Sequence, residues 1–231
     1  MNRLRLYCFY LLFLITPAFC SPKNNTTSII IPCHYKHAIW LPSLLDTFAQ
    51  QTVLPNEIVI SLSEYTKVNP DLLQNLCSNR WPFTIQLLTC EEPISEGGNR
   101  NRACRHATGD VFICHDADDI PHPQRVEIIK FFFDNLPIDH LMHYYTHDAS
   151  RFRYFSNIAE IKWGYGDDRF TANGPIAMTR RVFDKVQWVE TFQVGNDVLF
   201  NDEVYRHFAD SAICIQEYIY LYRPLLTSYS Q

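Results

Sequence analysis

The sequence predicts an α/β domain with a central, mostly parallel sheet and helices on both faces. Short β-branched runs alternate with capped or amphipathic helical segments through the first 135 residues. The runs are mostly apolar, as buried strands are. The chain has 231 residues and is 47% hydrophobic, enough to bury a sizeable core as one domain.

Each element has its own signal. Ser28 to Ile31 reads as a first buried strand stopped by Pro32. From about Ala38 to Gln51, Ile39, Trp40, Leu41, Leu44, Leu45 and Phe48 share one side of a helical wheel. Ile58 to Ile60 is a second strand. Asn69 and Pro70 supply a cap and a first-turn proline for a helix carrying Leu72, Leu73 and Leu76. Thr84 to Leu88 makes a third strand. A helix is expected from Asn99 to Thr108, ended by Gly109, before a fourth strand from Val111 to Cys114. Pro121 is expected to open a helix with Val126, Ile129 and Phe132 or Phe133 turned inward.

Charge narrows the function. A net charge of -5 and a pI near 6 argue against nucleic acid as a partner and against a basic membrane-binding patch. No internal repeat or low-complexity tract is present. Residues 1–20 read as a targeting segment. Arg3 and Arg5 precede the apolar run from Leu6 to Ile15, and Pro17 and Ala18 lead to Cys20-Ser21. That run is short for a membrane span, which needs about 20 apolar residues. The expectation is a secretory signal peptide or a short, uncleaved signal anchor, giving the ER or Golgi lumen or secretion. Membrane contact would then come only through this segment. Residues 21–231 form the single folded domain.

Asn24-Asn25-Thr26-Thr27 holds two overlapping N-x-T acceptors. Of eight cysteines, Cys8 and Cys20 fall in the targeting segment. The other six make no C-x-x-C pair, so zinc is not expected, and an oxidising lumen permits disulfides without fixing their pairing. Cys33 and Cys114 close apolar strands and read as buried packing groups.

The sharpest signal is Asp116-Ala117-Asp118, directly after the strand Val111 to Cys114. Two carboxylates at i and i+2 can converge on one side of a tight turn. They offer hard oxygen ligands to Mg²⁺ or Mn²⁺, cations that leave positions for phosphate oxygens and water. The carboxyl end of a central strand is where open α/β sheets bind ligands. A pair of loop aspartates is also a common turn former or helix cap.

These residues, taken in order, resemble the nucleotide-sugar glycosyltransferases of family 2. The resemblance runs through Ser28-Ile29-Ile30-Ile31-Pro32, Gln50-Gln51-Thr52, Glu57-Ile58-Val59-Ile60 and Gly98-Asn99-Arg100-Asn101. It continues through Ala107-Thr108-Gly109-Asp110 to Asp116-Ala117-Asp118-Asp119. A looser match covers Gly174 with Ile176 to Arg181, Gly195-Asn196-Asp197, and Tyr222-Arg223. It implies the GT-A fold, a Rossmann-like sandwich. The implied activity is transfer of a sugar from a nucleoside diphosphate sugar to a saccharide or glycoconjugate acceptor, with Mn²⁺ or Mg²⁺ as cofactor.

The same resemblance implies roles. Asp116 and Asp118 face the metal and the diphosphate, and one of them reaches the ribose or meets the ion through water. Pro32, His34 and Tyr35 lie where the family's first loop meets the nucleotide, and Arg100 and Asn101 line the same pocket. Asp197 aligns with the second residue of the family's Glu-Asp motif, the general base.

Two departures stand out. Where the family carries a pair of aspartates after strand two, this chain has Ser61-Leu62-Ser63-Glu64, so Ser61 becomes the candidate for hydrogen bonding to the base. Where the family has glutamate before the base, this chain has Asn196, which leaves Asp197, or else Asp202 or Glu203, to take the proton. Asp197 also reads as the N-cap of a helix carrying Val198, Val204 and Phe208.

The implied chemistry is a direct displacement through an oxocarbenium-like state, as in glycoside hydrolysis. A carboxylate opposite the leaving group takes the acceptor proton, and the anomeric centre inverts. Arg102 and Arg105, beside Arg100, are further candidates for charge near the phosphates.

Weaker clusters read as structure. His140, His143 and His147 fall in a strand-like segment and would not share a face. Phe152, Tyr154, Phe155, Trp163 and Tyr165 read as a hydrophobic cover or a sugar-stacking surface. Asp167-Asp168 nearby is an acceptor-side candidate. Two rival classes remain at this stage: a metal-dependent hydrolase or nucleotidyltransferase using Asp116, Asp118 and His115, and an inactive binding module of the same fold.

Overall fold

The computed structural model describes residues 23–78, 80–165, 174–191 and 195–223. The targeting segment and Asp167-Asp168 lie outside the described residues. The strands are β1 (Thr27–His34), β2 (Glu57–Ser63), β3 (Thr84–Cys90), β4 (Val111–Cys114), β5 (Ile120–Pro121), β6 (His140–Thr146), β7 (Trp163–Tyr165), β8 (Ile176–Thr179) and β9 (Ala212–Leu221). The α-helices are α1 (Leu41–Ala49), α2 (Pro70–Leu76), α3 (Glu96–His106), α4 (Arg125–Asn135), α5 (Arg180–Lys185) and α6 (Asn196–Phe208).

The sheet order is β3-β2-β1-β4-β8-β6-β9-β5, with β7 also on β9. The first four are parallel to one another. β8 runs antiparallel to both β4 and β6, and β9 runs parallel to β6. Alternate residues of β1 feed opposite cores, as a doubly covered strand requires. Ile29 and Ile31 pack with Leu41, Leu45 and Phe48 of α1 and with Val126 and Ile129 of α4. Ile30 packs with Ala103 of α3, Phe183 of α5 and Val204 of α6.

Several boundaries differ from the sequence reading. β1 does not stop at Pro32 but continues to His34. The carbonyl of Ile30 turns toward β4 and accepts from the His115 N–H at 3.0 Å. Pro32, two residues on, turns the same way beyond the end of β4, where a missing N–H costs no ladder bond. A 3-10 turn over Tyr35–Trp40 precedes α1, so the helix begins at Leu41 with a proline in its first turn. That shift takes Ile39 off the apolar face and leaves it 71% exposed.

Pro121 does not open a helix. It pairs with β9 in the short strand β5, and α4 begins at Arg125. Gly109 does not end α3, which stops at His106. The Gly109 N–H instead donates to Ser28 Oγ at 2.9 Å. The six cysteines among the described residues are all free thiols, and Cys33 and Cys114 are buried as expected. Asn25 turns its amide inward to Phe133 O and Asp134 Oδ1, while Asn24 is exposed. Among the described residues, no helix is long and apolar enough to cross a membrane.

Candidate active site

The end of β4 delivers Asp116, Asp118 and Asp119 into one turn, and other elements close on them. Arg100, one turn into α3, is fully buried and ion-pairs with both Glu96 and Asp116 Oδ1. Despite its burial, those two carboxylates hold Arg100 above its ordinary pKa. The Tyr220 hydroxyl, from β9, lies 2.6 Å from Asp119 Oδ2 and 3.2 Å from Asp116 Oδ2. The Arg223 N–H donates to Asp119 Oδ1 at 2.8 Å, and its guanidinium lies 4.6 Å from the Trp40 ring. His37 Nδ1, from the turn after β1, is 3.5 Å from Asp118 Oδ2.

Crowded carboxylates resist ionisation. Burial pushes Asp116 up to about 6, with Arg100 opposing and Glu96 and Asp118 reinforcing the rise. Burial and then the Asp116 charge push Asp119 up to about 8. The turn thus gathers three aspartates, with Glu96 beside them, around one fully buried guanidinium, and its donors are hard oxygens. That combination suits a divalent cation. Among the described residues, no three His, Cys, Asp or Glu side chains form a complete metal-binding set. A bound cation would take its remaining ligands from water or a diphosphate.

The other expected residues fall into two groups. His34 and Tyr35 lie at the carboxyl end of β1, on the rim. His34 Nε2 is 2.6 Å from Glu64 Oε2, and its ring stands 4.5 Å from that of Tyr35. Glu64 also ion-pairs with Lys67. Pro32, Ser61 and Asn101 are buried instead. Ser61 donates to Asn99 Oδ1 at 2.8 Å, and Asn101 holds Trp188 O and Trp188 N at 2.8 and 3.0 Å. This geometry has Ser61 and Asn101 clamping α3 to the sheet and to the 188–190 segment. Arg102 donates to Leu88 O and Thr89 O, and Arg105 ion-pairs with Glu190, so both point away from Asp116.

α6 starts against the same rim. Gly97 of α3 allows this, since a Cβ there would stand 2.4 Å from Val189 O and 3.2 Å from Asn196 Nδ2. Trp188 stacks on Phe200 at 3.9 Å and lies 5.9 Å from the Arg100 guanidinium. The cap of α6 is Gly195 at φ 85°, not Asp197, which sits in the first turn near the positive end of the helix dipole. Asp197 Oδ1 accepts from the Val198 N–H at 2.9 Å. Val198 is exposed, and the buried face runs through Phe200, Asn201, Val204 and Phe208. Glu203 is engaged by Arg206 and His207, and Asp202 is exposed. Asp197 is thus the carboxylate of α6 placed nearest the packed junction with α3.

The histidines divide as their strand spacing requires. His140 approaches Tyr205 of α6, and His143 approaches Arg125 of α4, on opposite faces of β6. His115 is fully buried, and burial followed by the Arg125 charge holds its pKa well below the ordinary value. It lies beneath the turn, closed off from solvent, with Arg125 Nη1 at its Nδ1. Phe155 and Ile161 cover the core, while Tyr154 and Tyr165 stand exposed.

The sequence pattern described as glycosyl transferase family 2 matches residues 28–208. The chain belongs to glycosyl transferase family 2. Its fold is the GT-A fold of solved relatives. S. aureus TarS 1-349 in complex with UDP-GlcNAc is similar at TM-score 0.71 and 17% identity, over 88% of this chain and 60% of that one. The mannosyltransferase PcManGT from Pyrobaculum calidifontis, solved with GDP-Man and Mn²⁺, gives 0.66 and 15% over 92% and 61%. Glucosyl-3-phosphoglycerate synthase from Mycobacterium tuberculosis, with Mn²⁺ and UDP, gives 0.62 and 14% over 87% and 73%. The chain therefore spans about three fifths of the length of the TarS chain. No curated protein matches it by sequence.

Proposed function

We propose that this family 2 protein is a metal-dependent, inverting glycosyltransferase that moves a sugar from a nucleoside diphosphate sugar to an acceptor hydroxyl. The observation that carries the reading is the aspartate turn after β4, with Asp116 gripped by Arg100 and Asp119 held by Tyr220. Asp118 and Asp116 would hold Mn²⁺ or Mg²⁺, Asp116 through the lone pairs that Arg100 and Tyr220 leave open on its two oxygens. When bound, such a cation neutralises charge on the departing diphosphate as a Lewis acid.

The chain's own residues do the rest. Arg100 holds Asp116 in place and adds positive charge beside it. His34 and Tyr35 offer a rim against which the nucleotide settles. Asp197, in the first turn of α6, takes the acceptor proton. Delivery to a secretory lumen remains part of this proposal, on the strength of Arg3, Arg5 and the Leu6 to Ile15 run.

A donor screen tests it. The full chain is incubated with UDP- and GDP-sugars, Mn²⁺ and a panel of saccharide acceptors. Product that requires both acceptor and Mn²⁺ is expected, with the anomeric configuration opposite to the donor's. Retained configuration would end the single-displacement scheme. Binding of a donor without any turnover across acceptors would favour an inactive binding module.

A further inference from the structure

Arg125 is an expensive residue where it stands. It lies on α4, fully buried, and all four of its hydrogen-bond partners are uncharged groups. Nη2 donates to Cys114 O and Gly174 O at 2.9 Å each, Nη1 meets His115 Nδ1 at 3.2 Å, and Nε donates to His143 Nε2 at 3.1 Å. A cation buried among neutral groups costs stability that an apolar side chain of similar volume would not. Packing alone therefore does not account for it.

Its surroundings do. The guanidinium lies 5.2 Å from the centroid of the Tyr220 ring. Beyond that ring, the Tyr220 hydroxyl touches Asp116 Oδ2 and Asp119 Oδ2 and accepts from the Asp116 N–H at 3.2 Å. Arg125 also grips Cys114 O, the last carbonyl of β4 before the carboxylate turn, and Gly174 O at the approach to β8. A positive charge thus sits one aromatic ring beneath the carboxylates and ties down the backbone on which they hang. His115 and His143, both fully buried, complete the layer.

We infer that Arg125 and Tyr220 are positioning residues of the donor site. Tyr220 fixes the orientation of Asp116 and Asp119 through its hydroxyl, and Arg125 fixes Tyr220 and the end of β4 from below. The inference rests on the donor-site reading above. Removing a hydrogen-bonding partner behind a metal-binding group costs about 10- to 100-fold in metal affinity, and that is the effect assigned to this layer.

The test is calorimetric binding of UDP and GDP to the full chain over a Mn²⁺ titration, with Tyr220→Phe and Arg125→Lys. Tyr220→Phe removes one oxygen and leaves the ring's packing intact. It is expected to melt cooperatively and to need about tenfold more Mn²⁺ for half-maximal nucleotide binding, with binding restored at saturating Mn²⁺. Arg125→Lys keeps the charge but not the four hydrogen bonds, and should weaken binding at least as much. If Arg125→Lys melts early, Tyr220→Phe alone decides. A folded Tyr220→Phe with wild-type Mn²⁺ dependence overturns the inference and leaves the donor site standing. A wild-type chain that binds neither nucleotide with Mn²⁺ overturns the donor-site reading and this inference with it.

Discussion

At the end of β4, side chains from α3, β9 and the turn after β1 reach the aspartates. At the start of α6, by contrast, Asp197 accepts, among the described residues, from the N–H of the next residue. The difference matches two chemical tasks. A diphosphate and its cation need a fixed constellation of charge, prepared before the ligand arrives. A general base needs access to an incoming hydroxyl, and a rigid cage of partners would compete with that hydroxyl for the same lone pairs. On the proposed reading, the donor side would be built from long-range contacts between elements, and the acceptor side from a helix end.

Separating the two sides functionally is the strongest way to break the comparison. Asp197→Asn keeps size and the hydrogen bond to Val198. It should lower turnover by roughly 10²–10⁴-fold, the usual contribution of a general base, with nucleotide and Mn²⁺ affinity near wild type. Single-turnover kinetics beside calorimetry would show it. Loss of nucleotide binding together with turnover would put Asp197 on the donor side. Full activity would hand the role to Asp202 or Glu203.

Asp118→Asn is the mirror experiment. Mn²⁺-dependent nucleotide binding should fall by about a hundredfold, at the upper end of what metal-site partners contribute. Stability should change little, since the crowded carboxylates repel one another without the ion. Undiminished binding by a folded Asp118→Asn protein would remove the metal from this turn.

Protonation offers a third, smaller contrast. Asp119 is held up to about 8 in the fold against an ordinary 3.8. Between those values the folded chain keeps a proton that the unfolded chain has lost, so rising pH costs stability at this group. Asp119→Asn cannot ionise. Its melting temperature relative to wild type should climb steadily from about pH 4 to about pH 8 in the absence of metal. A pH-independent difference would mean that Asp119 is not the group carrying this charge.

The unequal construction also explains what the sequence disclosed. Val111 to Cys114 followed by Asp116 and Asp118 is a local pattern, so strand, turn and carboxylates were all legible. Asn69 capping α2 was legible for the same reason, its side chain accepting from the Asp71 N–H two residues on. Tyr220 was not, because its contact with Asp116 spans 104 residues and the resemblance marks Tyr222-Arg223, two residues on, rather than Tyr220 itself. A run rich in isoleucine and tyrosine from Ile213 to Tyr220 could have announced β9, but not which tyrosine turns toward the aspartates. Arg125 sits between Gln124 and Val126 with the look of a surface helix residue, and only tertiary packing buries it. β5 is two residues long, too short for any periodicity. Ile39 was misplaced because a 3-10 turn rotates side chains differently from the α-helix assumed for it.

Ser61 gives the finest test, because sequence and structure assign it to different sides of the pocket wall. The departure from the family's aspartates made it a candidate for reading the base. In the fold it is fully buried, with its hydroxyl donating to Asn99 Oδ1, and Asn99 Nδ2 in turn 3.2 Å from Ser63 Oγ. Ser61→Ala removes that donor and leaves Asn99 one partner short. The expected cost is about 1 kcal/mol of stability, the net value of a typical buried hydrogen bond. The ratio of UDP to GDP affinity should not move, because the hydroxyl faces α3. Denaturant melts and paired calorimetric titrations would measure both quantities. A change in the nucleotide ratio at unchanged stability would return Ser61 to the base-reading role. It would also mean that α3 shifts on ligand binding, leaving the donor side less rigid than its hydrogen bonds describe.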